Sequence, residues 1–176
     1  MTFLFTLGNS SNSFLLLRAY DAGFSSNTAI LLYFIYNVTA SILATPCGKL
    51  SDKVGRKKLL VTGYLTFSVV YFGFAVCTSK PLMIVIFVIY GIYTALTAGV
   101  ERAFYIGKFA PKKGNEGELC WAYIPHLAGI ALLPASVIAG LLWDNVGTFA
   151  PFVYGGVMSL VAAVILMVGL KQKKER

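Results

Sequence analysis

Asn9 to Ser13 form an unbroken polar run, NSSNS, which interrupts an otherwise apolar stretch near the start of the chain. Amide and hydroxyl groups donate and accept hydrogen bonds, so this run could bind a polar solute. Asn9 and Asn12 are three residues apart, a spacing that places both on one face of a helix. Polar groups are costly in apolar surroundings, so this face is expected to line a cavity or to contact another helix. The residues alone leave both interpretations, a solute path and hydrogen bonding between helices, open.

A second group of polar side chains lies in the middle of the chain. Tyr90, Tyr93, Thr94 and Thr97 follow one another at spacings that put them on a single helical face. His126 is the single histidine of the chain. It could exchange a proton near neutral pH, or it could be a hydrogen-bonded packing residue.

No set of catalytic residues accompanies these groups. The sequence has no nucleophile beside a base, no cluster with metal-ligand spacing and no glycine-rich phosphate loop. We therefore predict no catalytic residue, no metal site, no cofactor and no enzymatic activity. Arg18 and Asp21, three residues apart at the end of the first apolar stretch, are interpreted as a surface ion pair rather than as a substrate clamp.

The elements that must position these residues are long apolar runs. The chain is 57% hydrophobic and only 12% charged, against roughly a quarter charged in soluble domains. A membrane helix needs about 20 apolar residues, and six candidate runs appear without the alternation of barrel strands. The first of these runs is short and is interrupted by the polar segment GNSSNS. We predict an all-α bundle of six transmembrane helices over residues 1–176, with spans at about 2–17, 29–47, 59–77, 81–100, 120–143 and 150–170.

The basic residues predict how this bundle lies in the lipid bilayer. Of the 15 Lys and Arg residues, all but Arg18 and Lys80 follow span two, four or six. Those that follow span six form a basic tail at residues 171–176. The positive-inside rule then places both termini in the cytoplasm. Because the net charge of +8 is divided among short clusters, nucleic acid is not an expected partner.

The pattern G-x-L-x-D-x-V-G occurs twice, beginning at Gly48 and at Gly140. The first copy ends span two on the predicted cytoplasmic side, and the second ends span five on the opposite side. Lys and Arg are abundant in the first copy and absent from the second, as opposite sides of a membrane favour. Spans one to three and four to six therefore look like one three-helix unit used twice in inverted orientation, which is typical of secondary transporters.

The segment GKLSDKVGRKK resembles motif A, the cytoplasmic loop G-x-L-a-D-r-x-G-r-k-x of the major facilitator superfamily. The matching residues are Gly48, Leu50, Asp52, Gly55, Arg56 and Lys57. Members of this family usually have twelve spans in two six-helix halves. The segments TLGNSSNSFLLLRA, ERAF and LPASVIAGLLWDNVG resemble a seventh, a tenth and an eleventh helix, so the resemblance implies a carboxy-terminal half. The chain departs from such relatives after Pro111, where KKGNEGELCWAY replaces a short arginine–glycine run.

The resemblance also implies roles for individual residues. The first and fourth helices of each half line the central cavity in this family, which implies a substrate path lined by Asn9, Asn12, Tyr90, Tyr93, Thr94 and Thr97. The matching loop implies a gating latch in which Arg56 pairs with Glu101 at the inner end of span four. Asp52 would then lie near the N-terminus of a neighbouring helix. A basic loop that sets only the topology is the alternative.

These observations predict half of a secondary active transporter. It would move a small molecule across the cell membrane by alternating access, together with a missing amino-terminal six-helix half or a second copy. The alternative is a membrane-embedded structural or assembly module, or a fragment with no transport activity alone. No carboxylate lies in the middle of a span, so a proton-coupling carboxylate is expected in the missing half.

Overall fold

The protein is all-helical over the part of the chain that the structure describes. The structure is a computed structural model that describes the backbone of residues 2–9, 12–109 and 116–171 and the side chains of residues 5–9, 12–101, 129–130 and 132–168. Seven helices cover this part: α1 (Thr2–Gly8), α2 (Ser13–Asp21), α3 (Ser26–Val54), α4 (Arg56–Val76), α5 (Lys80–Phe109), α6 (Glu116–Asn145) and α7 (Ala150–Lys171). The rest of the predicted basic tail, residues 172–176, lies outside the described residues.

The first predicted span is divided into two short helices, α1 and α2. Asn9 and Asn12 lie between these helices rather than on one helical face, so the predicted shared face is wrong. The cause is local, because Asn and Ser have low helix propensity and their side chains compete for backbone hydrogen bonds. The amide N–H of Asn9 donates to the carbonyls of Phe5 and Thr6, which closes the last turn of α1.

The helices α3 and α5 extend beyond the apolar runs that predict them. α3 continues to Val54 and α5 to Phe109, whereas the predicted spans end near residues 47 and 100. Hydropathy marks the part of a helix that suits a bilayer. The following Lys, Arg and Glu residues are good helix formers, so the helix continues past that boundary.

Tight turns built on glycine follow both copies of the repeated pattern. Gly55 separates α3 from α4 with φ of +97°, and Gly147 lies between α6 and α7 with φ of +136°. Side chains with a Cβ rarely adopt these angles, so glycine is the residue that these turns require. We call the end of the bundle that contains Gly55 the basic end. The opposite end, where α2, α4 and the α6–α7 connection meet, is the Arg18 end.

The helix α4 lies in the centre and packs against α5 and α7. α3 packs on α5, while α1 packs on α6 and α7. Stacked and edge-on aromatic rings fill the core between α1, α4, α5 and α7, and their offset and T-shaped geometries are the favourable ones. The rings are Phe5, Tyr64, Phe67, Tyr71, Phe74, Phe87, Tyr90, Tyr93 and Phe152.

The helices α1 and α7 approach each other most closely where α1 ends. A Cβ on Gly155 would collide with the carbonyl oxygen of Gly8 and with the ring of Tyr71, and a Cβ on Gly8 would collide with Met158. Small residues at such crossings let helix backbones pack closely, which compensates for the weak hydrophobic drive inside a membrane. This contact fixes α1 at the point where the polar break begins.

Four of the described helices are long and apolar enough to cross a membrane: Ser26–Val54, Arg56–Val76, Lys80–Glu101 and Ala150–Val168. Their outward faces carry large exposed apolar side chains, such as Phe34 and Ile42 on α3 and Val164 and Val168 on α7. Apolar surface of this extent suits lipid rather than water. The fold is therefore that of an all-α, multi-pass membrane protein.

Candidate functional site

The break between α1 and α2 brings a polar side chain into the aromatic interior. Asn12 precedes α2, but its side chain makes no capping hydrogen bond to that helix. Its amide nitrogen donates to the Tyr36 hydroxyl at 3.2 Å, and its amide oxygen accepts from the Tyr90 hydroxyl at 3.0 Å. One amide group thus joins the broken span to α3 and α5. Asn9 is half-buried on the other side of the break.

The predicted face on α5 divides into a buried part and a partly open part. Tyr93 is buried against Phe67, with ring centroids 4.8 Å apart, and Thr97 is buried in the interior as well. Thr94 remains half-buried. The hydroxyls of Thr94 and Thr97 donate back to the carbonyls of Tyr90 and Tyr93, a common way for a helical threonine to satisfy its own donor.

Two tyrosines on α3 complete this polar and aromatic cluster, and sequence analysis missed them. Tyr36 packs edge-on against Tyr90 at 5.1 Å and against Tyr33 at 4.9 Å. Tyr33 is half-buried, whereas Tyr36 is only 5% exposed. Their spacing in LLYFIYN, three residues apart in a run otherwise suited to lipid, is a signal that could have found them.

The residues that resemble motif A lie at the end of α3, at the Gly55 turn and at the start of α4, so the predicted loop is largely helical. Leu50, Asp52 and Arg56 are exposed, and Lys57 is half-exposed. The guanidinium of Arg56 lies 3.9 Å from a carboxylate oxygen of Asp52, and both side chains are largely in solvent. Gly48 lies inside α3, and a Cβ there would meet no described atom within 4 Å.

Glu101 lies on α5 and is half-buried. Its carboxylate accepts a hydrogen bond from the Tyr64 hydroxyl at 3.2 Å, which links α5 to the central helix α4. The pairing of Arg56 with Glu101 stays a prediction. His126 lies outside the residues whose side chains are described.

Chemically, the described groups around Asn12 are suited to binding. Over the described residues no group of three or more His, Cys, Asp or Glu side chains could hold a metal ion. The cluster around Asn12 offers amide and phenol groups together with aromatic faces. Such groups form hydrogen bonds with a polar solute and stack on its apolar parts.

Comparison with known proteins agrees with a multi-pass membrane protein. Residues 1–176 match the sequence profile of the Major Facilitator Superfamily. An uncharacterized MFS-type transporter from Methanocaldococcus jannaschii is 35% identical over 170 residues, which is 93% of this chain. The chain belongs to the major facilitator superfamily, a family of transporters. It spans 42% of the length of that relative.

Proposed function

We propose that this chain is one six-helix half of a secondary active transporter that moves a small molecule by alternating access. Both termini lie on the cytoplasmic side of the cell membrane, and the bundle works with an amino-terminal six-helix half or with a second copy. The family assignment supports transport in general. The break in the first span supports this site in particular, because interrupted helices at membrane depth expose polar groups where transporters bind their substrates.

The pattern of helix contacts supports two inverted three-helix repeats. In the repeat, the α1–α2 pair corresponds to α5, α3 corresponds to α6, and α4 corresponds to α7. A contact between two helices should then have a counterpart between the two helices that correspond to them. The α3–α5 contact corresponds to α6–α1, and the α4–α5 contact to α7–α1. The remaining major contact, α4–α7, maps onto itself. These are the relations expected of a pseudo-two-fold axis between the triplets.

A pair of hydrogen bonds between α4 and α7 supports the same relation. The Ser68 hydroxyl donates to the carbonyl of Gly156 at 2.9 Å, and the Ser159 hydroxyl donates to the carbonyl of Tyr64 at 2.7 Å. The offset that relates Gly48 to Gly140 also relates Tyr64 to Gly156 and brings Ser68 to within one residue of Ser159. The two bonds are therefore reciprocal under the repeat.

The proposed substrate path begins at the break and follows the polar side chains of α5. Asn9 and Asn12 supply amide groups where the path begins, and Thr94 and the Tyr90 hydroxyl continue it along α5. Tyr93 and Thr97 are buried behind these groups and support the α5 side of the path. No described atom lies within 4 Å of a Cβ placed on Gly48 or Gly140, so helices of the other half would fit beside these two glycines. His126 remains a candidate for proton exchange during transport.

Ligand binding by the intact protein tests this proposal. The protein is purified in detergent and its thermal unfolding is followed across a panel of small metabolites and drugs, because a ligand at 100 times its Kd stabilises by about 2.7 kcal/mol. Hits are then assayed for uptake into vesicles. We expect Asn12→Ala to weaken binding about tenfold, the loss of one good hydrogen bond.

Asn145→Ala is the matched control, because the Asn145 side chain is exposed on α6 and donates to the Leu141 carbonyl of its own helix. This variant should bind and transport as the wild type does. If hits bind but none enters vesicles, the structural or assembly interpretation replaces transport. If Asn12→Ala and Asn145→Ala behave alike, the path lies elsewhere in the bundle.

A further inference from the structure

The guanidinium of Arg18 is buried at the Arg18 end, and every one of its N–H donors has an acceptor. Arg18 lies in the last turn of α2 and is only 6% exposed. Its Nε donates to the carbonyl of Phe74 at 2.8 Å, and its Nη2 donates to the carbonyls of Ala75 and Cys77 at 3.2 Å. Its Nη1 donates to the Asp21 carboxylate and, at 3.1 Å, to the Thr148 hydroxyl. The five donors of the planar fork are thus all used.

Three of these acceptors belong to the C-terminal end of α4. α4 ends at Val76, so the carbonyls of Phe74 and Ala75 have no partner within their own helix, and Cys77 is the C-cap residue. Arg18 supplies these partners from another helix. Its positive charge also lies at the negative end of the α4 dipole, where a cation is favoured. The sequence interpretation of Arg18 as part of a surface ion pair captured only its contact with Asp21.

The remaining two acceptors are Asp21 of α2 and Thr148 of the connection between α6 and α7, and they join these two segments. The Thr148 hydroxyl accepts from Arg18 and donates to Asp21 at 2.9 Å, so the three side chains form a closed ring of hydrogen bonds. Thr148 follows the turn at Gly147, in the second copy of the repeated pattern. The Arg18 cluster, meaning Arg18, Asp21, Thr148 and the three α4 carbonyls, therefore joins segments from both halves of the chain.

The element held by this cluster is short, and its other contacts include the buried side chains of Leu15 and Ala19 and the packing of Phe14 on Trp143. α2 is nine residues long and is separated from α1 by the break. α1 packs against α6 and α7, whereas α2 packs against α3. A displacement of α2 away from α4 would break the bonds of the cluster together. Loss of all contacts at once gives two discrete arrangements rather than a continuous range.

We propose that Arg18 is a positioning residue that latches α2 onto α4 and the α6–α7 turn, and so holds the Arg18 end of the transport path closed. The proposal rests on the proposed transport function. It adds a second gating contact, at the end opposite the motif A loop. In the released state α2 moves away from α4, and the C-terminal end of α4 becomes accessible to water.

Cys77 is a native reporter for this opening. It is 4% exposed, its carbonyl accepts from Arg18, and its thiol contacts the Ser79 carbonyl. In the intact protein, with Cys47 and Cys120 replaced by serine, the rate of Cys77 modification by a small maleimide is measured in membranes open on both faces. A second reporter, Ser51→Cys in a background without native cysteines, monitors the basic end, where Ser51 is also buried.

We expect Arg18→Gln to raise the Cys77 modification rate about tenfold and to leave the Ser51→Cys rate unchanged or lower, because alternating access opens one end at a time. Equal increases at both reporters would mean general loosening of the bundle and would overturn the latch. An unchanged Cys77 rate would overturn it as well, leaving Arg18 as a helix cap alone.

Thr148 provides a milder variant if Arg18→Gln does not accumulate in the membrane. Thr148→Val keeps the shape but removes the hydroxyl, and we expect about a threefold rise at Cys77. Thr148→Ser restores the hydroxyl and should restore the wild-type rate. Ser25→Ala, which removes an exposed hydrogen bond to Thr28 near the same end, is the control and should change nothing. A Thr148→Val rate equal to that of the control contradicts the proposal.

The same measurements separate this proposal from the transport proposal. The latch is decided by the ratio of variant to wild-type rates at Cys77, whereas transport is decided by uptake of a bound ligand into vesicles. A wild-type protein that transports, combined with silent variants, would overturn the latch alone. Variants that open Cys77 in a protein that transports nothing would leave the latch standing and overturn transport.

Discussion

The two ends of the bundle each contain an arginine three or four residues from an aspartate, but the two pairs differ in their surroundings. Arg18 is buried, and its fork is shared between Asp21, Thr148 and the end of α4. Arg56 lies 3.9 Å from Asp52 with both side chains in solvent. An exposed ion pair contributes about 0 to 1 kcal/mol, whereas a buried charge that loses its partners costs several times more. The same pair of residue types is therefore part of a buried network at one end and exposed at the other.

This difference suits the proposed alternating access, in which the two ends of the bundle open in turn. Contacts that break together give a closed state with a defined lifetime, and a weak exposed pair biases two states only slightly. At the basic end, α3 and α5 also extend well past their apolar parts.

The largest expected effect concerns which side of the membrane each end faces. Single cysteines at Lys57→Cys and Ser79→Cys are tested with an impermeant reagent in intact cells, in a background without native cysteines. We expect Ser79→Cys to be modified at once and Lys57→Cys only after permeabilisation, because Lys and Arg remain on the cytoplasmic side. The opposite pattern would invert the assignment of both ends.

The stability difference between the two arginines is the next test. Arg18→Met removes five hydrogen bonds and takes away the donor to the carbonyls at the end of α4. We therefore expect a loss of about 2 to 4 kcal/mol in the free energy of unfolding. Arg56→Met should change it by no more than about 1 kcal/mol. Reversible unfolding in detergent, followed by circular dichroism, measures both. Equal losses would remove the distinction between the ends.

The glycines of the basic end give a smaller effect. Gly55→Ala forces a Cβ onto a residue with φ of +97°, and we expect a loss of about 1 to 2 kcal/mol. Gly48→Ala is the matched control, because its position is helical and open, and alanine there should be neutral or stabilising by up to about 1 kcal/mol. The same unfolding measurement applies. A larger loss of stability at Gly48 than at Gly55 would show that the turn conformation of Gly55 does not determine stability at this end.

The smallest effect is expected at the exposed charges. If Arg56 pairs with Glu101 in one state of the cycle, then Arg56→Glu or Glu101→Arg should slow transport severalfold, corresponding to about 1 kcal/mol. The double exchange should recover part of the rate, and high salt should weaken the effect of each single variant. Silent single variants, or no recovery in the exchange, would leave the basic loop as a topology signal only.

Much of the fold could be predicted from the sequence. Five of the six predicted spans correspond to single helices. The length and hydropathy of a span are properties of one local stretch of sequence, and the bilayer thickness sets the length that is needed. The boundaries were less accurate at the basic end, since helix propensity continues where hydropathy stops.

The candidate site was predicted only in part. Asn12 and Tyr90 were identified separately, and the structure joins them through a hydrogen bond. Tyr33 and Tyr36 were missed because α3 resembles a lipid-facing span in hydropathy. Tyr93 and Thr97 share a helical face with Thr94, but periodicity alone does not tell which part of that face meets the neighbouring helix.

The sequence by itself determined membrane insertion, helix content, the position of the polar break and the family, because each depends on the types and spacing of neighbouring residues. Only the tertiary structure decided what the polar groups contact. Arg18 binds carbonyls of Phe74, Ala75 and Cys77 and the hydroxyl of Thr148, partners that are distant in sequence. Backbone carbonyls are the same in every residue, so no sequence pattern marks them as acceptors. Their availability depends on where a helix ends and on which side chain the packing brings to that end.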